Sequence, residues 1–198
     1  MSSKRKTKRE IRNEKSRQKK RTSTIIWSAV GIVAFGLAAY VLWIAVRPAQ
    51  GKSVPVMSDY GHVEEGADPG PFNSNPPTSG RHYAEEFEAG FYDEDSLEAQ
   101  YPYPEGYIVH NLEHGYVIFW YNCSTVGENE CKRLKDQISS VMDDAGNFKV
   151  IAFPSDSIKY PVVMTSWGQM QEFTAFSPSE AIAFVERNRN KAPEPNAP

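Results

Sequence analysis

Hydrophobic positions along this 198-residue chain follow two different regimes. From Ile25 to Val46 they form an almost unbroken run of 22 residues, and no charged residue occurs between Arg21 and Arg47. A helix rising about 1.5 Å per residue covers the ~30 Å hydrocarbon core of a bilayer over such a run. Trp27 lies near one end and Tyr40 and Trp43 near the other, where interfacial aromatics belong. A buried helix of a soluble domain would carry a polar stripe, and none is present. A cleaved signal peptide would have a shorter apolar region, ~7–15 residues, and a small-x-small cleavage site. Cleavage after Ala49 would set Arg47 at the −3 position, so the expectation is a retained helix over 25–46.

Beyond Arg47 the apolar residues are spaced, and the spacing predicts elements. Residues 47–58 read as a tether within a Pro-, Gly- and Ser-rich stretch that runs to about residue 80, with short strands at Val54–Met57 and around His62-Val63. Gly106–His110 and Tyr116–Tyr121 are β-branched and aromatic runs and read as strands. Asn129 to Ala145 reads as a helix, with Cys131, Leu134, Ile138, Val141 and Met142 at three- and four-residue steps and Gly146-Asn147 as its stop. Lys149–Phe153 and Tyr160–Ser166 read as further strands. Ser177-Pro178-Ser179-Glu180 reads as the start of the last helix, with Ser177 as cap and Glu180 completing a capping box. The order β-β-α-β-β-α predicts an α+β domain over 59–191: a mostly antiparallel sheet with two helices packed on one face, followed by a loose tail over 192–198.

Charge sharpens the division. Residues 1–21 carry eleven Lys/Arg against Glu10 and Glu14, a net of +9, so the net of −3 for the whole chain leaves −12 on residues 22–198. A basic tail over 1–24 beside an apolar run is a topology signal that holds the N-terminus in the cytoplasm and leaves the acidic domain outside. That assignment uses up the basic residues, so no nucleic-acid partner is expected. Cys123 and Cys131 lie on the side where disulfides persist, eight positions apart with Gly127 between them, and are expected to bond.

The chemistry-bearing residues are concentrated. All four histidines, His62, His82, His110 and His114, lie within one stretch of 53 residues. Three local patterns accompany them: Asn75-Pro76-Pro77-Thr78-Ser79-Gly80-Arg81-His82, a stiff turn that presents His82; His110-Asn111-Leu112-Glu113-His114-Gly115; and Thr165-Ser166-Trp167-Gly168 at a strand end. H-x-x-E-H is also the inverted zincin signature, which requires both histidines on one helix face. With a strand predicted at both flanks, that context fails, and in an extended chain His110 and His114 would sit ~13 Å apart unless a bulge at Asn111–Glu113 bent it. Asp93-Glu94-Asp95 lacks the spacing of a calcium loop, and no Walker loop, Rossmann glycine pattern, nucleophile elbow or C-x-x-C occurs.

Taken together, PPTSG-x-H, V-H-x-L-E-H-G leading into a β-run, and T-x-W-G before a closing helix resemble the "domain of unknown function" family numbered three thousand one hundred and five. The resemblance spans roughly residues 55–190 and matches the family's motifs at His82, His110, Glu113 and His114. It implies a membrane-anchored location and a fold, and attaches no activity.

The residues themselves point to a metal site of His82, His110 and His114, with Glu113 as fourth ligand or orienting partner and His62 as the substitute ligand. Imidazole donors on the outer side of a membrane suit zinc or copper. Two other readings use the same residues: a tethered protein-interaction module whose histidines serve only the fold, and a small metal-dependent hydrolase. Neither the substrate nor a protein partner is legible.

Overall fold

In the computed structural model of the chain, residues 8–45 and 48–197 are described; Lys4, Arg5 and Lys6 of the basic tail, Val46, Arg47 and Pro198 lie outside the described residues. The chain divides into two units, Met1–Arg47 and Pro48–Pro198. The first holds helix α1, Lys8–Ala45. Its stretch Lys20–Trp43 is long and apolar enough to cross a membrane, and none of it is buried by protein. The helix continues through residues 8–24, so this described part of the basic tail is helical as well.

The second unit is built on one six-stranded sheet. Its elements are β1 (Lys52–Ser53), β2 (Gly90–Phe91), α2 (Glu105–Glu113), β3 (Val117–Tyr121), α3 (Glu128–Asp144), β4 (Val150–Pro154), β5 (Val162–Ser166), β6 (Gln169–Phe173) and α4 (Pro178–Asn188). The strand order is β1-β6-β5-β3-β4-β2. β3 pairs antiparallel with β5 and β5 with β6, whereas β3 and β4 run parallel, as do β4 and β2. The class is α+β, and the sheet is mixed: β1·β6, β3·β5 and β5·β6 pair antiparallel, while β3·β4 and β2·β4 are the parallel pairs. The cause lies in the connection: α3 carries the chain back across the sheet, and a crossover of that length returns a parallel strand.

Alternation along β3 separates two cores. Val117, Phe119 and Tyr121 face α3 and α4, where Leu134, Ile138, Val141, Phe184 and Val185 meet them. Ile118 and Trp120 face the other way, onto Tyr83, Phe87, Ile108 and Leu112. On that second face lies the largest departure from the expected elements. The segment expected as a strand over Gly106–His110 is helix α2, and every residue from Gly106 to Glu113 is buried. A helix enclosed on all sides has no polar face and shows no 3.6-residue period, so its β-branched residues imitate a strand in sequence. The helix ends at Gly115, whose φ is +85° and where an added Cβ would fall 2.7 Å from Asn190 Cα, leaving no room for a side chain.

Smaller differences have local causes. Gln50 exchanges hydrogen bonds with the Asn188 side chain, and Lys52–Ser53 pairs with β6, so part of the stretch expected as a tether is an edge of the sheet. Ser177 precedes α4, but its hydroxyl meets Ser179 and Glu180 accepts from Gln171, so no capping box forms. Trp167-Gly168 is the turn of the β5–β6 hairpin, with Gly168 at φ +65°. In the same motif, fully buried Thr165 accepts the indole N–H of Trp120 at 2.8 Å. Thr165→Val keeps the shape and strands that N–H, and chemical denaturation should record a loss of about 1–2 kcal/mol. Cys123 and Cys131 are joined by a disulfide between the end of β3 and the start of α3.

Candidate metal centre

Three short-range devices fix the imidazoles. The first is the PPTSG turn. Asn73 Oδ1 accepts the backbone N–H groups of Thr78 and Ser79 at 3.1 Å each, and its Nδ2 donates to Pro55 O. Gly80 passes so close to Phe72 that a Cβ would fall 2.7 Å from the ring. The turn delivers the Gly80 carbonyl to His82, whose Nδ1 donates to it at 2.9 Å. His82 is 0 % exposed.

The second device is a backbone bridge. His62 and His82 pair as adjacent extended residues, and Val63 N–H donates to His82 O at 2.7 Å. The bridge sets the exposed His62 ring 4.9 Å from that of His82 and stacks it 5.2 Å from His110. The third device is α2. On a helix, positions four apart lie one above the other. His110 and the cap residue His114 therefore meet, with their Nε2 atoms 3.0 Å apart. Because the segment is helical, the ground for setting aside the inverted zincin signature no longer holds.

The side-chain atoms able to hold an ion gather around His110. His62, His82 and His110 offer atoms within 4.8 Å of one another, and so do Glu86, His110 and His114. Glu113 sits beside this arrangement, its Oε2 3.0 Å from His82 Nε2 and not paired with His114 or Arg81. His62, Glu113 and Glu194 wall a cleft of about 300 Å³ that opens the centre to solvent.

The tautomers follow from the partners. A carbonyl only accepts, so Nδ1 of His82 and of His110 must carry the proton; His110 donates to Tyr83 O at 2.6 Å. The Nδ1 of His114 donates to the Glu86 carboxylate at 2.8 Å. In the neutral rings each Nε2 is then left with a lone pair. Two of those lone pairs face each other across 3.0 Å between His110 and His114, and a third faces the Glu113 carboxylate. Acceptors opposed at such distances need a cation between them, either a proton or a metal ion. At His82 burial opposes the proton: desolvation lowers its pKa below 6.5, against the raising effects of Gly80 O and Glu113.

Several participants carry no signal in the sequence. Glu86 is one acid among many, Tyr83 and Gly80 act through their carbonyls, and Glu194 lies in the stretch expected to be loose. That stretch is tied to the domain, with Glu194 N–H donating to Glu113 O and Lys149 Nζ to Pro195 O and Ala197 O. The third cluster, Glu94 with Cys123 and Cys131, has its thiols consumed by the disulfide.

The family model described as "Protein of unknown function (DUF3105)" matches residues 63–198, which takes in His82, Glu86, His110, Glu113 and His114 and stops one residue short of His62. No curated protein and no solved structure matches the chain.

Proposed function

The chain belongs to the DUF3105 family, so the chemistry has to come from the site, and we propose that this is a membrane-anchored extracytoplasmic domain that binds one transition-metal ion, zinc or copper, through its histidines. The observation that carries the reading is the set of Nε2 lone pairs turned inward while each Nδ1 is held by a carbonyl or carboxylate. That is how metal-binding imidazoles are oriented by their outer partners. Imidazoles sharing a tetrahedral ion at 2.0–2.1 Å lie about 3.3 Å apart, close to the 3.0 Å between His110 and His114. The donors are nitrogen and oxygen, which suits Zn²⁺ and Cu²⁺.

Titrating the full-length chain in detergent with Zn²⁺ or Cu²⁺ should give one bound ion and a raised unfolding temperature. Affinity should fall as pH drops through about 6, because the imidazoles must be neutral to bind. The metal-free chain should also weaken in that direction: unfolded His82 takes up a proton near 6.5, while the buried ring resists it. Absence of both stoichiometric metal and a thermal shift would return the histidines to a purely structural role in an interaction module.

The anchor is supported by α1. Its apolar stretch of 24 residues spans about 36 Å as a helix, and side chains on all its faces are exposed. The basic residues before it favour a cytoplasmic N-terminus. A reporter active only outside the cytoplasm, fused after Pro198, should work, and one active only inside should fail. The reverse pattern refutes the orientation, and a mature chain beginning near residue 48 refutes the anchor.

The helical setting of H-x-x-E-H and the place of Glu113 on the cleft wall favour a second reading, a small metal-dependent hydrolase with Glu113 as general base. Glu113→Gln that keeps the metal and loses turnover supports it; unchanged turnover rejects it.

A further inference from the structure

The segment after α4 runs along the mouth of the centre and brings a carboxylate to it. Glu194 Oε2 lies 3.7 Å from His114 Nε2, on the same cleft wall as Glu113 and His62. The Glu194 backbone N–H donates to Glu113 O at 3.1 Å, which ties the segment to the end of α2. His110 Nε2 stands 3.0 Å from the same His114 atom. His114 Nε2 thus has the His110 ring nitrogen at 3.0 Å and a carboxylate oxygen at 3.7 Å.

Lys149 explains how the segment is held. It is 5 % exposed, and its ammonium donates to His114 O at 3.0 Å, Pro195 O at 3.1 Å and Ala197 O at 2.8 Å. An ammonium has three protons, and a buried one persists only when they are met. One of its three acceptors belongs to the histidine at the centre and two to the segment that carries Glu194. A single side chain thus couples the position of His114 to that of Glu194. The residue adopts φ +49°, a conformation uncommon for a non-glycine residue, immediately before β4.

We propose that Glu194 is a ligand of the bound ion, closing the coordination on the His114 side, and that Lys149 is the positioning residue that brings it there. This rests on the metal reading above. An anionic oxygen beside neutral imidazoles selects a divalent cation, Zn²⁺ or Cu²⁺, over monovalent copper, which prefers sulfur donors. Glu194 has a 61 % exposed side chain, so it can swing out and let the ion enter or leave through the cleft.

The test is Zn²⁺ affinity of the full-length chain in detergent, measured by competition with a chromophoric chelator. Glu194→Gln should weaken binding ten- to a hundredfold, Glu194→Asp should recover part of the loss, and the metal-free unfolding temperature should not move. Lys149→Met should give a similar loss, and the double variant should be no weaker than the worse single one. If Lys149→Met fails to fold, the Glu194 pair still decides the matter. Wild-type affinity in Glu194→Gln overturns the proposal and leaves the histidine site standing. A wild-type chain that binds no Zn²⁺ overturns both.

Discussion

Replacing His110 with alanine should lower the affinity of the full-length chain for Zn²⁺ or Cu²⁺ by roughly two to three orders of magnitude, as expected when one ligand is removed from a site of about 10–16 kcal/mol. His110 is the residue common to the two histidine-containing groups that could hold an ion, so in this account its loss is not covered from either side. His82→Ala and His114→Ala should each follow with a smaller loss, because each belongs to one cluster. His62→Ala should be the mildest, since the exposed ring stands at the solvent edge. His110→Ala also leaves Tyr83 O without its buried donor, at about 1–3 kcal/mol of stability. The order of the four affinities by calorimetry separates this effect from unfolding, because His62→Ala removes no buried hydrogen bond. An effect of His62→Ala larger than that of His110→Ala would contradict the arrangement.

Gly106→Ala should damage both fold and site. An added Cβ would fall 2.7 Å from Cδ2 of the Tyr83 ring and closer still to Cε2. Tyr83 has nowhere to go: it is fully buried, its hydroxyl donates to Ala67 O, and its N–H donates to Gly106 O. Overpacking of this kind destabilises by about 1–3 kcal/mol. The Tyr83 carbonyl holds His110 Nδ1, so any shift of Tyr83 turns the proposed ligand, and affinity should fall ten- to a hundredfold as it does when an orienting partner is disturbed. Gly90→Ala is the control, because a Cβ there meets nothing within 4 Å and should change stability by less than about 0.5 kcal/mol. Equal stability and equal metal affinity in the two variants would refute the coupling through Tyr83.

What the sequence made legible follows from how each element is solvated. α3 and α4 have one wet face, and their apolar positions repeat at helical spacing. β3, β4 and the first three residues of β5 are apolar runs, legible as strands. α2 was not, because burial on every side erased its period. β6 was missed for the opposite reason: Gln169, Gln171 and Glu172 leave Met170 and Phe173 three residues apart, which fits no strand alternation. The parallel pairing of β3 with β4 follows from the helix between them, since a crossover of that length returns a parallel strand. At the site, the motifs named His82, His110, Glu113 and His114, since side-chain identity is what a sequence prints. The orienting acceptors are the carbonyls of Gly80 and Tyr83, which any residue possesses. Glu86 and Glu194 reach His114 only through loop paths that no local pattern encodes.

Zinc K-edge X-ray absorption on the zinc-loaded full-length chain in detergent tests the metal centre most directly. The expected spectrum has a first shell of nitrogen and oxygen at ~2.0–2.1 Å, with imidazole scattering from at least three rings. A chain that retains no zinc after desalting, or a first shell without imidazole scattering, would contradict the assignment of these histidines as ligands.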